Sequence, residues 1–194
     1  MKNLKDYILQ LDNWIPNNIL KTSLKELKKD KTWEQHKYQN LQDASDTYVK
    51  NKSKELNICW GEKLTHLEEL MKLTWKAIEK YIITDKIGGD TINSWNGFSK
   101  IRFNRYKKNQ IMSKHIDHIH DLFTGERKGI PILSIVAVLN DDYEGGEFRF
   151  FGGLEKVSLS TGEAMLFPAE PLWIHGTEPV TKGARYTINC FLRQ

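Results

Sequence analysis

Apolar residues in the first part of the chain recur at roughly helical spacing. Over residues 4–29 they are Leu4, Ile8, Leu11, Ile15, Ile19, Leu24 and Leu27, interrupted at Pro16. This spacing predicts helical structure broken at the proline. Residues 30–57 are polar with no sustained period and read as a long loop. From Glu62 to Thr84, Leu64, Leu67, Leu70, Met71, Trp75, Ile78 and Ile82 form one apolar stripe with Glu and Lys opposite, the pattern of a helix packed on a sheet. Residues 85–99 hold Gly88, Gly89 and Gly97 and read as a loop. Beyond it the period shortens to that of strands. Strands are expected at Lys100–Tyr106, Gln110–Asp117, Ile132–Asn140, Glu147–Phe151, Lys156–Leu159, Glu163–Phe167, Leu172–His175 and Ala184–Leu192. Turn signals separate most of them: Asn140-Asp141-Asp142, Gly145-Gly146, Gly152-Gly153, Thr161-Gly162 and Lys182-Gly183.

Short strands with close turns, following helices, predict an α+β, mainly β fold: a small barrel or jelly roll buttressed by helices. The chain reads as a single domain over residues 1–194. Residues 1–56 are a helical N-terminal extension and loop, 57–99 a buttressing helix and loop, and 100–193 the β core. A length of 194 residues, 39% of them hydrophobic and six of them tryptophan, suits one domain with a sizeable core. No apolar run approaches the roughly 18 residues of a membrane span. The N-terminal Met1-Lys2-Asn3-Leu4-Lys5-Asp6 lacks a signal-peptide apolar core, so a cytoplasmic location is expected. Cys59 and Cys190 form no CxxC pair and read as free thiols in a reducing compartment. The net charge of +4 is concentrated in Lys25, Lys28, Lys29 and Lys31 and in Lys107 and Lys108. A solvated helix face accounts for it better than nucleic-acid binding, because no aromatic or Gly-rich nucleic-acid motif accompanies it.

Titratable side chains concentrate in Lys114-His115-Ile116-Asp117-His118-Ile119-His120-Asp121. On a strand His115 and Asp117 share one face, since side chains alternate with period 2. His175, at the end of an expected strand, is the best third ligand. Two imidazoles and one carboxylate make the facial triad of non-haem iron(II) oxygenases, and Zn(II) could compete for it. HxD alone is also what surface polar residues on a half-exposed strand would give. Arg185 lies ten residues beyond His175, and alternation puts Arg185, Thr187, Asn189 and Phe191 on one strand face. An inward Arg needs an anion. A dicarboxylate held in a bidentate fork beside a hydroxyl meets that need; an Asp or Glu of the protein near a barrel mouth would also do so. His118 and His120 could form an HxH pair on the opposite face, or stand as exposed loop histidines. His36 and His66 read as ordinary polar positions. Lys114, Arg102 and Arg149 fit either a substrate groove or surface charge.

The order Tyr106…His115-x-Asp117…His175…Arg185-x-Thr187 resembles the prolyl 4-hydroxylase branch of the Fe(II)/2-oxoglutarate dioxygenases. Leu139-Asn140 running into Gly145-Gly146-Glu147-Phe148 extends the likeness. So do Gly162-Glu163-Ala164-Met165-Leu166-Phe167 and Pro179-Val180-Thr181-x-Gly183-x-Arg185-Tyr186. It covers about residues 57–193; Asn57-Ile58-Cys59-Trp60 and the following helix are similar to the lead-in of the oxygen-sensing prolyl hydroxylases. The resemblance implies a double-stranded β-helix, a cupin-like jelly roll of two facing sheets, with N-terminal helices packed on the major sheet. It implies that His115, Asp117 and His175 ligate Fe(II), and that Arg185 and Thr187 bind the distal carboxylate of 2-oxoglutarate. Tyr106 would reach into the same pocket. 2-Oxoglutarate and O2 would be co-substrates, with ascorbate as a further cofactor, and succinate and CO2 would be released as the substrate is hydroxylated. Asp117 favours hydroxylation, since related halogenases carry a small residue there.

Two positions depart from the animal oxygen sensors: Val138 stands where they have Tyr, and Phe191 where they have Trp. A prolyl residue in a protein or peptide is the leading substrate by resemblance, and a free amino acid or another small molecule the runner-up. Nucleic-acid dealkylation ranks third, because that branch repeats an Arg at the position of Phe191. Polar loops at 43–56 and 85–99 are natural lids. A catalytically inactive β-helix acting as a binding module is the reading from another class.

Overall fold

The computed structural model describes residues 3–39, 47–85, 87, 97–117 and 130–193. In chain order the strands are β1 (Leu9–Leu11), β2 (Glu34–Gln35), β3 (Tyr38–Gln39), β4 (Thr47–Tyr48), β5 (Asn57–Cys59), β6 (Gly97–Phe98), β7 (Arg102–Tyr106) and β8 (Met112–His115). They continue as β9 (Pro131–Val138), β10 (Tyr143–Gly145), β11 (Phe148–Phe150), β12 (Glu155–Val157), β13 (Ala164–Pro168), β14 (His175–Thr177), β15 (Val180–Gly183) and β16 (Arg185–Arg193). Two α-helices, α1 (Asn17–Lys29) and α2 (Leu67–Glu79), precede the β core.

The major sheet runs β1-β13-β9-β16-β7-β5-β2, with β6 also on β16, and the minor sheet runs β12-β11-β14-β8. The chain alternates between them. β7, β9, β13 and β16 lie in the major sheet, whereas the intervening β8, β11 and β14 lie in the minor one. This winding of an antiparallel chain between two facing sheets is a double-stranded β-helix. Strands β10 and β15 form a separate ribbon, as do β3 and β4.

Period-2 alternation gives each major-sheet strand two functions. On β16, Tyr186, Ile188, Cys190 and Leu192 join Phe103, Ile135 and Leu166 of neighbouring strands in one apolar cluster. Leu20 and Leu27 of α1 and Leu70, Ala77 and Ile78 of α2 complete it. Ile188, Leu192 and Ile78 are fully buried, each contributing roughly 1.5–3 kcal/mol relative to exposure. The opposite face of β16 presents Arg185, Thr187 and Asn189, all buried, to the minor sheet. Between the sheets, Val136, Met165 and Phe167 meet Phe148, Phe150 and Trp173.

Several expectations need correction. Only Asn17–Lys29 of the first apolar-spaced stretch is α-helix; Leu4–Tyr7 is one 3₁₀ turn and Leu9–Leu11 is a strand. Three residues cannot reveal a period, and the free edge of β13 supplies β1 with its hydrogen bonds. Residues 30–57, expected as loop, contain β2, β3 and β4. Helix α2 is shorter than its apolar stripe and ends in a π turn at Lys80–Thr84. Met71 and Trp75 are exposed, whereas Leu70, Thr74, Ala77 and Ile78 are buried. The buried face is thus turned about one residue from the expected stripe. The strand expected at Leu172–His175 instead starts at His175. Gly145 and Gly183, expected in turns, end the two strands of the β10–β15 ribbon. Most of the expected 85–99 loop, part of the 43–56 loop, and His118 and His120 lie outside the described residues.

Candidate active site

The last residue of β8 and the first of β14 are directly opposed, His115 to His175. Their ring centroids lie 4.4 Å apart. Gly176 makes this pairing possible: a Cβ there would lie 2.9 Å from the Met112 carbonyl oxygen, so only a residue without one lets β14 close on β8. Asp117, two residues past His115, faces both rings. His115 Nε2 is 3.2 Å from Asp117 Oδ1, and His175 Nε2 is 3.4 Å from Asp117 Oδ2. Ligand atoms from the three residues lie within 4.8 Å of one another and could hold a metal ion.

The hydrogen bonds decide which imidazole nitrogens face inward. His115 Nδ1 lies 2.9 Å from the Ser113 carbonyl oxygen, and His175 Nδ1 lies 2.8 Å from that of Trp173. A carbonyl can only accept, so each Nδ1 carries the proton. Each Nε2 of a neutral ring therefore presents a bare lone pair toward a carboxylate. His115 Nε2 is buried and, among the described residues, has no hydrogen-bond partner. Lone pairs converging in a buried space call for a cation between them.

Burial tends to raise the Asp117 carboxyl. The adjacent His175 and His115 and the Ser134 hydroxyl more than offset it and hold the group below the ordinary carboxylate range. Ser134 Oγ donates to Asp117 Oδ2 at 2.6 Å. Burial pushes His175 down to about 4, against the opposing pull of Asp117. At neutral pH the site thus holds an ionised carboxylate and a neutral imidazole, the forms a divalent metal requires.

The depressed His175 gives a test on the metal-free protein. The unfolded chain takes up a proton near pH 6.5, whereas the folded imidazole resists protonation until about pH 4. The unfolded state therefore binds more protons in this window, and stability falls as pH drops through it. The contribution is fully present above pH 6.5 and amounts to roughly 3 kcal/mol, at ~1.4 kcal/mol per unit. Urea unfolding with chelator at pH 7 and pH 5 should show the loss, and His175→Gln should flatten it. An equal slope in both proteins would assign the effect elsewhere.

Arg185 begins β16 of the major sheet, whereas His115 and His175 lie on β8 and β14 of the minor sheet. It is directly opposite Tyr106 on β7, and Thr187 is opposite Asn104. Arg185 is 3% exposed. Its Nε donates to Tyr143 Oη at 3.2 Å, and its guanidinium lies 5.2 Å from the Tyr106 ring centroid. Among the described residues no carboxylate pairs with it. An aromatic-walled, buried guanidinium of this kind is a receptor for a carboxylate brought by a ligand. Thr187 Oγ1 accepts from Asn104 Nδ2 at 3.3 Å, so its own proton remains to be given.

The structure thus gathers His115, Asp117 and His175 at one point and Arg185, Thr187 and Tyr106 at a second. Sequence reasoning missed Ser134 and Tyr143. Ser134 is a lone hydroxyl in the apolar run Pro131–Val138 and signals nothing until what it faces is known; Tyr143 carries no signal beyond its turn. His36, read as ordinary, is buried and lies 3.2 Å from Arg102 Nη1 through its Nε2. Arg102 also donates to Asn189 Oδ1 at 3.0 Å, so it faces inward. Lys114 and Arg149 line a cavity of about 230 Å³. Both are engaged there: Lys114 Nζ donates to the Gly152 carbonyl at 2.9 Å, and Arg149 Nε lies 3.4 Å from Glu178.

Comparison with known proteins agrees with this arrangement. Residues 101–193 match the model of the 2OG-Fe(II) oxygenase superfamily. A PKHD-type hydroxylase of Pseudomonas aeruginosa (strain LESB58) is 36% identical over 89 residues, covering 43% of this chain and 38% of that protein. Prolyl 4-hydroxylase 1 of Arabidopsis thaliana is 29% identical over 154 residues, covering 69% of this chain and 52% of that protein. The chain thus spans about half or less of these relatives' length. A prolyl hydroxylase from Trichoplax adhaerens, solved with a hypoxia inducible factor oxygen degradation domain peptide fragment, superposes with a TM-score of 0.67 at 15% identity, covering 97% of this chain and 84% of that one. That likeness concerns the fold.

Proposed function

We propose that this chain is an Fe(II)- and 2-oxoglutarate-dependent dioxygenase that hydroxylates a prolyl residue in a peptide or protein, releasing succinate and CO2. One observation carries the reading. A buried cluster that calls for a cation faces, across the same interior, a buried guanidinium that calls for a carboxylate. Iron together with a dicarboxylate satisfies both.

His115, Asp117 and His175 would hold Fe(II) on one face, leaving positions for the keto acid and O2. Iron so held supplies the activation of O2 that is coupled to decarboxylation of 2-oxoglutarate. The residues of the chain do the rest. Arg185 orients the distal carboxylate, with the Thr187 hydroxyl and Tyr106 beside it. Ser134 fixes the Asp117 carboxylate so that both oxygens keep their direction. Val136, Phe148, Phe150 and Phe167 dry the space between the sheets, which strengthens every electrostatic contact there. The atoms balance: one oxygen of O2 enters succinate and the other enters the hydroxyl product. The entire chain acts as one domain, since α1 and α2 share an apolar cluster with the major sheet.

Relatives named prolyl 4-hydroxylase, and the peptide in the structure of the Trichoplax protein, support the reading of a prolyl substrate. Purified protein with Fe(II), ascorbate and a library of proline-containing peptides should convert 2-oxoglutarate to succinate in a peptide-dependent way. Mass spectrometry should locate one added oxygen on proline. Succinate formed with a free amino acid and with no peptide would reassign the substrate. No turnover together with no metal binding would instead favour the inactive binding module.

A further inference from the structure

A fully buried carboxylate outside the family-matching residues backs one side of the metal centre. Glu55 is 0% exposed. Its backbone is locked to the start of β8: the Ile111 N–H donates to the Lys54 carbonyl at 2.8 Å, and the Leu56 N–H to the Ile111 carbonyl at 3.0 Å. Gln110 Nε2 donates to the Glu55 carbonyl at 2.9 Å. The side chain is thereby set beside Ser113, whose hydroxyl donates to Oε1. Tyr38 Oη donates to Oε2 at 3.1 Å and lies 3.2 Å from the Ser113 carbonyl oxygen. That carbonyl is the one that accepts from His115 Nδ1.

Three groups therefore converge on one peptide unit. Glu55 grips its hydroxyl, Tyr38 bridges Glu55 and the carbonyl, and His115 takes its tautomer and ring plane from that carbonyl. The Tyr38 ring also lies edge-on to His115, with centroids 5.7 Å apart. Lys50 closes the outside, donating to the Lys114 carbonyl at 2.9 Å with its ammonium 4.4 Å from the Tyr38 ring centroid.

We propose that Glu55, Tyr38 and Ser113 are positioning residues for His115, so that these three side chains are a working part of the metal centre. The inference rests on the reading of His115, Asp117 and His175 as an iron site. Glu55 does more than fill space, because as a carboxylate it accepts from both hydroxyls at once. A glutamine there has one accepting oxygen and a donating amide. It cannot hold both hydroxyls, so the Ser113 peptide unit loses the bridge that keeps its carbonyl in line for His115 Nδ1–H, and removing the Tyr38 hydroxyl cuts that same bridge. The imidazole loses its fixed tautomer, and Nε2 is no longer reliably bare.

Co(II) titration of the full chain tests this without turnover. Glu55→Gln and Tyr38→Phe should each weaken Co(II) binding by about 10- to 100-fold, the range for groups that orient a metal ligand. Their visible Co(II) absorption bands should shift. Imidazole ¹⁵N spectra of the metal-free variants should show His115 moving toward the Nε2–H tautomer. Tyr38→Phe keeps the ring and removes only the hydroxyl, so it carries the test should Glu55→Gln fail to fold. Wild-type Co(II) affinity and spectrum in Tyr38→Phe would overturn the proposal, whatever its melting temperature. Failure of the unmodified chain to bind Co(II) would overturn the iron-site reading itself, and the proposal with it.

Discussion

Replacing His175 with alanine should abolish iron binding and turnover while leaving a folded chain. The substitution removes one of three ligands and the first residue of β14, whose ring stacks on Phe148 with centroids 5.1 Å apart. Circular dichroism should remain that of the parent, with a packing cost of about 1–3 kcal/mol. Iron titration should show no binding in the range where the parent saturates, and peptide-dependent succinate formation should vanish. Wild-type iron affinity in this variant would sink the assignment of all three ligands, because among the described residues His175 is the one further metal-ligating side chain that joins His115 and Asp117.

Arg185→Ala should separate the two halves of the site. Removing one partner of a buried charged pair costs about 2–5 kcal/mol, so the 2-oxoglutarate requirement should rise by roughly 30-fold or more, at ~1.4 kcal/mol per tenfold. Iron affinity should be nearly that of the parent, because Arg185 is not among the residues whose ligand atoms converge. Arg185→Lys should recover only part of the loss, since an ammonium cannot fork a carboxylate. An unchanged 2-oxoglutarate requirement would mean that Arg185 serves only Tyr143 and the packing around it.

Much of this site could be read from the order of residues because strands impose a simple rule. Alternation on β16 puts Arg185 and Thr187 on one face and Tyr186, Ile188, Cys190 and Leu192 on the other, and the fold keeps that division. His115 and Asp117 were legible as a pair for the same reason. Ser134 was not singled out, because one hydroxyl in an apolar strand has no meaning until the strand facing it is known. Glu55 and Tyr38 were hidden more deeply. They lie in a stretch without period, and it is the pairing of Glu55 with Ile111 and the bond of His36 to Leu56 that bring them to His115. Helical spacing before Pro16 misled because Leu9–Leu11 takes its conformation from the β13 edge. Local propensity is weak enough there for a tertiary partner to decide.

The division of labour along β16 also determines which genetic changes this chain can absorb. Its side chains alternate between a reactive interior and an oily exterior, and pairing with β7 and β9 fixes their register. A point substitution on one face leaves the other face in place. Insertion or deletion of a single codon within the strand has a different effect, since every side chain beyond it changes face. A codon gained just before Arg185, if the upstream pairing held, would drive the guanidinium toward the helices and turn Tyr186 into the interior. Length variation among descendants of this sequence should therefore collect in its connecting loops and stop abruptly at residue 185.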